Sequence, residues 1–211
     1  NNIGNEVSVE AGVALDRLVL SCEQKGLAGV ATLAGIPGTV GGALAMNAGA
    51  FGGETWDQVA EVETLDRNGE LHRRRKAEYS IGYRSVVGPE NEWFIAAIFQ
   101  LKPGDTEAST KAIRELLDKR NASQPIGEPS CGSVFRNPEG DYSGRLIESL
   151  GLKGYCIGGA CVSEKHANFI INKGDATAAE IEQLIQYVQD KVEEYCGIRL
   201  HPEVRIIGEA N

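Results

Sequence analysis

No run of apolar residues approaches the roughly 18–20 that a membrane helix needs, and the first residues, Asn1 to Glu6, lack the charged-then-apolar layout of a secretory signal. A soluble, cytoplasmic protein is expected. Positive charge is scarce as well: 21 Lys and Arg stand against 30 Asp and Glu, a net −9, which argues against a nucleic-acid partner. The run Arg73-Arg74-Arg75-Lys76 is the exception, and it reads as a solvated strand end rather than a phosphate clamp. The 5 cysteines are odd in number and never form a Cys-x-x-Cys pair, so neither a zinc site nor a disulfide framework is expected, and reduced thiols are the default. No metal-ligand cluster is expected either. The Gly-Lys-Ser/Thr ending of a Walker loop and Gly-x-Gly-x-x-Gly spacing are both missing, which excludes the simple nucleotide-binding loops. The chain has no initiator Met and enters a strand-like stretch almost at once, so a truncated N-terminus is expected.

What is present is 211 residues with 42% hydrophobic content, enough for one large core or two small ones. Glu6 to Glu10 alternates like a strand; Leu15, Leu18, Val19 and Cys22 then recur at helical spacing up to Gly26. Val59–Asp66 and Glu70–Arg75 flank Asn68-Gly69, a hairpin signal, and Trp93–Leu101 gives another strand. Beyond Pro103-Gly104-Asp105, an amphipathic helix runs through Ala112, Ile113, Leu116 and Leu117. A short helix follows at Leu146–Leu150, then a strand at Asn168–Asn172. A long helix from Thr177 to about Cys196 carries a capping-box start, with Glu180 three residues after Thr177, and stops at Gly197. Ile198–Ile207 reads as a last strand. Without a regular βαβ repeat the class is α+β, divided into residues 1–103, 104–200 and a C-terminal strand at 201–211.

Residues 35–53 hold seven glycines and little periodicity, so they are expected to form a loop whose bare backbone approaches a diphosphate or a flat ring. The order of residues is more specific than the composition. Gly35-Ile36-Pro37-Gly38-Thr39-Val40-Gly41-Gly42-Ala43 and Met46-Asn47-Ala48-Gly49-Ala50 are followed, in order, by Gly82-Tyr83-Arg84-Ser85, by Pro129 to Pro138 (containing Ser133-Val134-Phe135-Arg136-Asn137), and by His201-Pro202-Glu203-Val204-Arg205. Gly151 to Ala160 and His166-Ala167-Asn168-Phe169 add to the pattern. Over nearly its whole length the chain resembles the UDP-N-acetylenolpyruvoylglucosamine reductase (MurB) family, in its shorter, type II branch.

That resemblance implies a partial FAD-binding domain of the vanillyl-alcohol-oxidase/PCMH-like type, then a C-terminal α+β substrate-binding domain. It implies a flavoprotein oxidoreductase, UDP-N-acetylmuramate dehydrogenase, that uses FAD and NADPH to reduce UDP-N-acetylglucosamine enolpyruvate for peptidoglycan synthesis, and so for cell-wall biogenesis, cell shape and division. Arg84, Ser133 and Glu203 match the family's catalytic positions. Gly35, Pro37, Gly38, Gly41, Gly42, Asn47, Ala48 and Gly49 would hold the flavin, and Tyr83, Asn137 and His166 the substrate. Taken singly, these residues have plainer readings: an ion pair for Arg84, a turn serine, a solvent-facing acid, a structural histidine. The flanking matches are what favour the functional ones. Glu203 is left open between a protonated acid that supports the substrate carboxylate and a proton relay. The family's N-terminal lobe, with its Gly-Gly-Gly-Ser-Asn-like loop, is not found in this chain. The alternatives are a cofactor-free UDP-sugar-binding fragment and a flavin oxidase of the same fold. Oligomeric state is not legible.

Overall fold

The computed structural model describes residues 2–208 and divides the chain into two compact units, Asn1–Arg120 and Asn121–Asn211. The first is built on an antiparallel sheet in the order Asn2–Ile3, Glu6–Glu10, Glu92–Gln100, Val59–Asp66, Leu71–Arg75. Alternation in Glu6–Glu10 sends Val7 and Val9 into the core, and helix α1 (Leu15–Gln24) buries Leu15, Leu18, Val19 and Cys22 against it. Burial pushes the Cys22 thiol up to about 11. At the Asn68-Gly69 turn, Asp66 Oδ1 accepts from the N–H groups of Asn68 (2.8 Å) and Glu70 (2.9 Å), which fixes the hairpin register. The first half of the basic run makes ion pairs, Arg73 3.3 Å from Glu61 and Glu63 and Arg74 2.5 Å from Glu92, while Lys76 Nζ donates to the Trp56 carbonyl.

The glycine-rich segment is less loop-like than its composition implies. Within it, helix α2 (Val40–Met46) starts at Thr39, whose side chain accepts from Gly42 N at 3.4 Å, and ends at Asn47 in the left-handed region, φ 44°. Helix α3 (Thr106–Ser123) packs Ile113 and Leu117 on the first core. The division between units consequently falls at Arg120, well past Pro103: the proline breaks a strand, but the helix after it has its apolar face on the preceding core.

In the second unit a three-stranded antiparallel sheet (Cys156–Ile157, Ala160–Val162, Ile170–Asn172) packs with helices α4 (Ser143–Ser149) and α5 (Ala178–Cys196). Thr177 and Glu180 form the expected capping box, and Gly197 ends α5 at φ 68°. Leu184, Ile185, Val188 and Val192 are the buried stripe of α5. Two expectations are corrected here. Residues 201–208 form no strand; they make a single bridge, Pro202 to Phe135, and residues 209–211 lie outside those described. Pro202 has no N–H for a ladder, and both Glu203 N and Val204 N turn to one carbonyl, that of Val134, at 2.7 and 3.4 Å. Second, Cys156 and Cys161 form a disulfide. The reason is pairing across a hairpin: the Gly158-Gly159 turn sets the two residues opposite each other, Cα atoms 4.1 Å apart, an arrangement that motif spacing and cysteine parity do not reveal.

Among the described residues no helix is long and apolar enough to cross a membrane. Leu184 is fully buried, so Leu184→Ala is expected to cost about 2–5 kcal/mol, read as a lowered midpoint in urea unfolding of the second unit.

Candidate active site

In the first unit the expected flavin-binding residues form one continuous corner. The chain at Gly38 and the start of α2 is stitched to the segment before α1: Leu15 N donates to Gly38 O (3.1 Å), Val40 N to Val13 O (2.9 Å) and Gly41 N to Ala11 O (2.8 Å). Those bonds leave Pro37, Gly38, Thr39 and Gly42 exposed, and a Cβ on Gly38, at φ 130°, would meet nothing within 4 Å. Gly35 lies against Leu117 and Arg120. The corner therefore presents a bare peptide edge to its surroundings, a surface that suits close approach of a diphosphate or ring.

Asn47, expected among the flavin contacts, has its side chain turned into the protein. It is fully buried; its Nδ2 donates to Glu54 Oε2 (2.6 Å) and to Gly82 O (3.1 Å), and its Oδ1 accepts from Trp56 N (3.2 Å). The amide is thus committed within the protein, and what faces the neighbouring turn is its carbonyl. Arg84 Nη1 donates to that carbonyl at 3.2 Å, and Nη2 to the Gly49 carbonyl at 2.8 Å. Gly49 permits this geometry because a Cβ there would sit 2.2 Å from Gly53 O. Ala48 contributes its carbonyl to Thr55, accepting from N (2.8 Å) and Oγ1 (2.7 Å).

Arg84 closes the two-residue turn between strands Ser80–Gly82 and Ser85–Val87 in the left-handed region, φ 52°. A non-glycine residue held there stores conformational strain, which the backbone bonds to its guanidinium offset. Its Cζ is 5.2 Å from the ring centre of Tyr83, which is exposed. Burial, then the charge of Arg84, lowers the Arg120 guanidinium from its usual range, so two arginines concentrate positive potential in this unit.

In the second unit Ser133 and Glu203 lie on paired segments. Ser133 bridges Phe169, Val134 N donates to Asn168 O (2.8 Å), Arg136 N to His201 O (2.9 Å), and Glu203 N to Val134 O (2.7 Å). Asn168, which has no assigned role in the motif, holds this arrangement: its Oδ1 accepts from Phe135 N (3.0 Å) and its Nδ2 donates to Phe135 O (2.8 Å). The only signal for it was a polar residue inside an otherwise apolar strand approach. Asn137 Oδ1 accepts from Ser143 N at 3.1 Å, at the start of α4. His166 packs edge-on to Phe169, and its Nδ1 accepts from Asn168 N at 3.2 Å, which leaves Nε2 to carry the proton. The structure brings Ser133, Glu203, Asn137 and His166 into one unit and places Arg84 and Tyr83 in the other.

One potential ligand cluster went unseen in the sequence. Asp66, Glu70 and His72 bring ligand atoms within 4.8 Å of one another, although Asp66 is already occupied by the turn and by His72 at 3.3 Å.

Comparison with known proteins agrees with this division. Residues 1–75 match the family model of an FAD binding domain, which gives the first unit its class: a flavin-binding fold carrying a cationic turn. Residues 124–207 match the model of the UDP-N-acetylenolpyruvoylglucosamine reductase C-terminal domain. Proteins named UDP-N-acetylenolpyruvoylglucosamine reductase are 59% identical in Alkalilimnicola ehrlichii (98% of this chain, 70% of that one) and 56% in Methylococcus capsulatus (97% and 67%). The one in Coxiella burnetii is 58% identical, covering 97% of this chain and 65% of its own. The crystal structure of the MurB protein from Thermus caldophilus superposes with a TM-score of 0.87 at 34% identity, over 97% of this chain and 73% of that one. The chain belongs to the UDP-N-acetylenolpyruvoylglucosamine reductase family.

Asn47→Ala leaves Glu54, Gly82 and Trp56 N without their partner, so thermal or urea unfolding should show a loss of roughly 2–4 kcal/mol; an unchanged midpoint would refute the bracing role. Burial, then the Lys153 charge, holds the His166 pKa below its usual 6.5. The unfolded chain takes up this proton first, so the contribution of His166 to stability is complete above about 6.5 and declines as pH falls toward the folded-state value. Imidazole NMR titration should find the midpoint below 6.5.

Proposed function

We propose that this chain reduces the enolpyruvyl ether of UDP-N-acetylglucosamine enolpyruvate to the lactyl ether of UDP-N-acetylmuramate, in the cytoplasm, as a step of peptidoglycan synthesis. The observation that carries the reading is the Arg84 guanidinium, fixed by the carbonyls of Asn47 and Gly49 just past the end of α2, the helix whose start bears the exposed peptide edge of the glycine-rich corner. That edge, with nothing over Gly38, fits FAD, which supplies the hydride when bound and receives it from NADPH.

The residues of the chain have the rest of the work. Addition of hydride to the terminal alkene carbon puts negative charge next to the substrate carboxylate. A planar, permanently charged guanidinium is suited to bind that carboxylate and hold the developing charge, and Arg84 is already oriented for it by its two backbone bonds. Ser133 Oγ is the proposed donor of the proton to the carbon that bears the ether oxygen. A hydroxyl is a weak acid, so this step depends on a strongly polarised setting, to which Glu203 on the paired segment contributes. His166 offers Nε2–H, and Tyr83 and Asn137 offer polar contacts, to the sugar nucleotide; the neutral His166 donates without adding charge.

The test separates the two half-reactions. With FAD bound, Ser133→Ala should be reduced by NADPH at the normal rate, while its reoxidation by the enolpyruvyl sugar nucleotide falls about 10²–10⁴-fold. Arg84→Lys should lose reoxidation and also weaken substrate binding, because an ammonium does not reproduce the bidentate fork. Equal reoxidation rates in Ser133→Ala and the unaltered chain would remove Ser133 from the chemistry. Reduced flavin that reacts with dioxygen and ignores the sugar nucleotide would replace the reductase reading with an oxidase.

A further inference from the structure

We propose that Cys156 and Cys161 are a reversible thiol–disulfide exchange site for dithiols, opened and closed while the second unit remains folded. This is independent of the reductase reading. The two residues differ in exposure: Cys156 is exposed, whereas Cys161 is 7% exposed on the middle strand of the sheet. Both face a cavity of about 270 Å³ whose wall also includes Gly154, Ser163, Lys165 and Lys173, room enough for a small dithiol.

The hairpin does not depend on the bond for its shape. Gly154 N donates to Val162 O and Val162 N to Tyr155 O, each at 2.9 Å; Lys173 N donates to Gly159 O at 2.9 Å; and Gly159 N reaches Glu180 Oε2 at 3.4 Å. The middle strand is also paired along its length with Ile170–Asn172. With a sequence separation of only 5, the bond closes a short loop, where the chain-entropy contribution of a disulfide is smallest. Opening it removes one cross-strand link from a ladder held by other means.

A thiolate of the dithiol attacks Sγ of Cys156, the exposed end; the Sγ–Sγ bond breaks, and Cys161 leaves as a thiolate that takes up a proton. The second thiolate of the reagent then attacks the mixed disulfide at the reagent's own sulfur, releasing Cys156 as a thiolate that is protonated in turn. Two electrons pass to the protein pair, which becomes two thiols, and the reagent becomes a cyclic disulfide. The reverse sequence oxidises the pair. The site is one strand away from the segment that carries Ser133, because Ser163 N donates to Phe169 O (2.8 Å) and Phe169 bridges Ser133.

The test equilibrates the full chain in dithiothreitol buffers of graded reduced-to-oxidised ratio, followed by acid quench, alkylation and peptide mass spectrometry, with far-UV circular dichroism in parallel. Over roughly a hundred-fold change in that ratio, the pair should pass from about one-tenth to nine-tenths doubly alkylated, and return on reversal. The dichroism should stay constant throughout. Cys131→Ser should give the same titration, since the exposed Cys131 thiol takes no part. Both sulfurs alkylated as thiols in the most oxidising buffer would overturn the proposal. So would opening that occurs only as the dichroism is lost, which would make the bond a structural staple, or a titration abolished in Cys131→Ser.

Discussion

The first unit depends on a single buried amide. Asn47 sits at the left-handed end of α2 with no exposed surface, and its side chain joins Glu54 and the Trp56 backbone to Gly82, which lies far from them along the chain. Buried polar groups are tolerated only when satisfied, and here the cost of burial is met by three partners at once. The same residue turns its carbonyl to Arg84. The glycine-rich corner and the cationic turn are thus held by one junction, which explains why an otherwise flexible composition keeps a defined shape.

The second unit repeats the solution with different residues. Asn168, 3% exposed, clasps Phe135 through both backbone groups, so the segment with Ser133 and the segment with Glu203 are registered against the sheet without a continuous ladder. Pro202 accounts for the interruption and leaves Glu203 beside Val134 rather than within a regular strand. In both units a polar side chain in the core supplies order that backbone pairing alone does not. Positions proposed for the chemistry can then be irregular, with Arg84 at positive φ, while their surroundings stay fixed.

Much of this was legible in advance because it is local. The helix α5, with its capping box and terminal glycine, the Asn68-Gly69 hairpin and the alternating Glu6–Glu10 strand all follow from periods and caps that act within a few residues. The ordered motifs located the residues now found in the two units and led to the family. Where local signals misled, a non-local partner decided the outcome. The break at Pro103 resembled a domain boundary, yet Ile113 and Leu117 of α3 have their apolar partners in the first core. Ile198–Ile207 has strand-like residues, but no neighbour able to complete a ladder with Pro202.

The sequence by itself determined the class of the chain, its net acidic charge and most of its helices and strands, and it supplied the residues proposed for the chemistry, since these depend on composition, period and ordered motif. Only the tertiary structure decided what those residues do for one another. It made Asn47 a buried brace, gave Asn168 a role, set the Nδ1 of His166 as an acceptor, and placed Cys156 opposite Cys161. The physical reason is the same in each case. Burial and hydrogen-bond partnership are properties of pairs brought together by folding, and no residue carries its partner in its own letter.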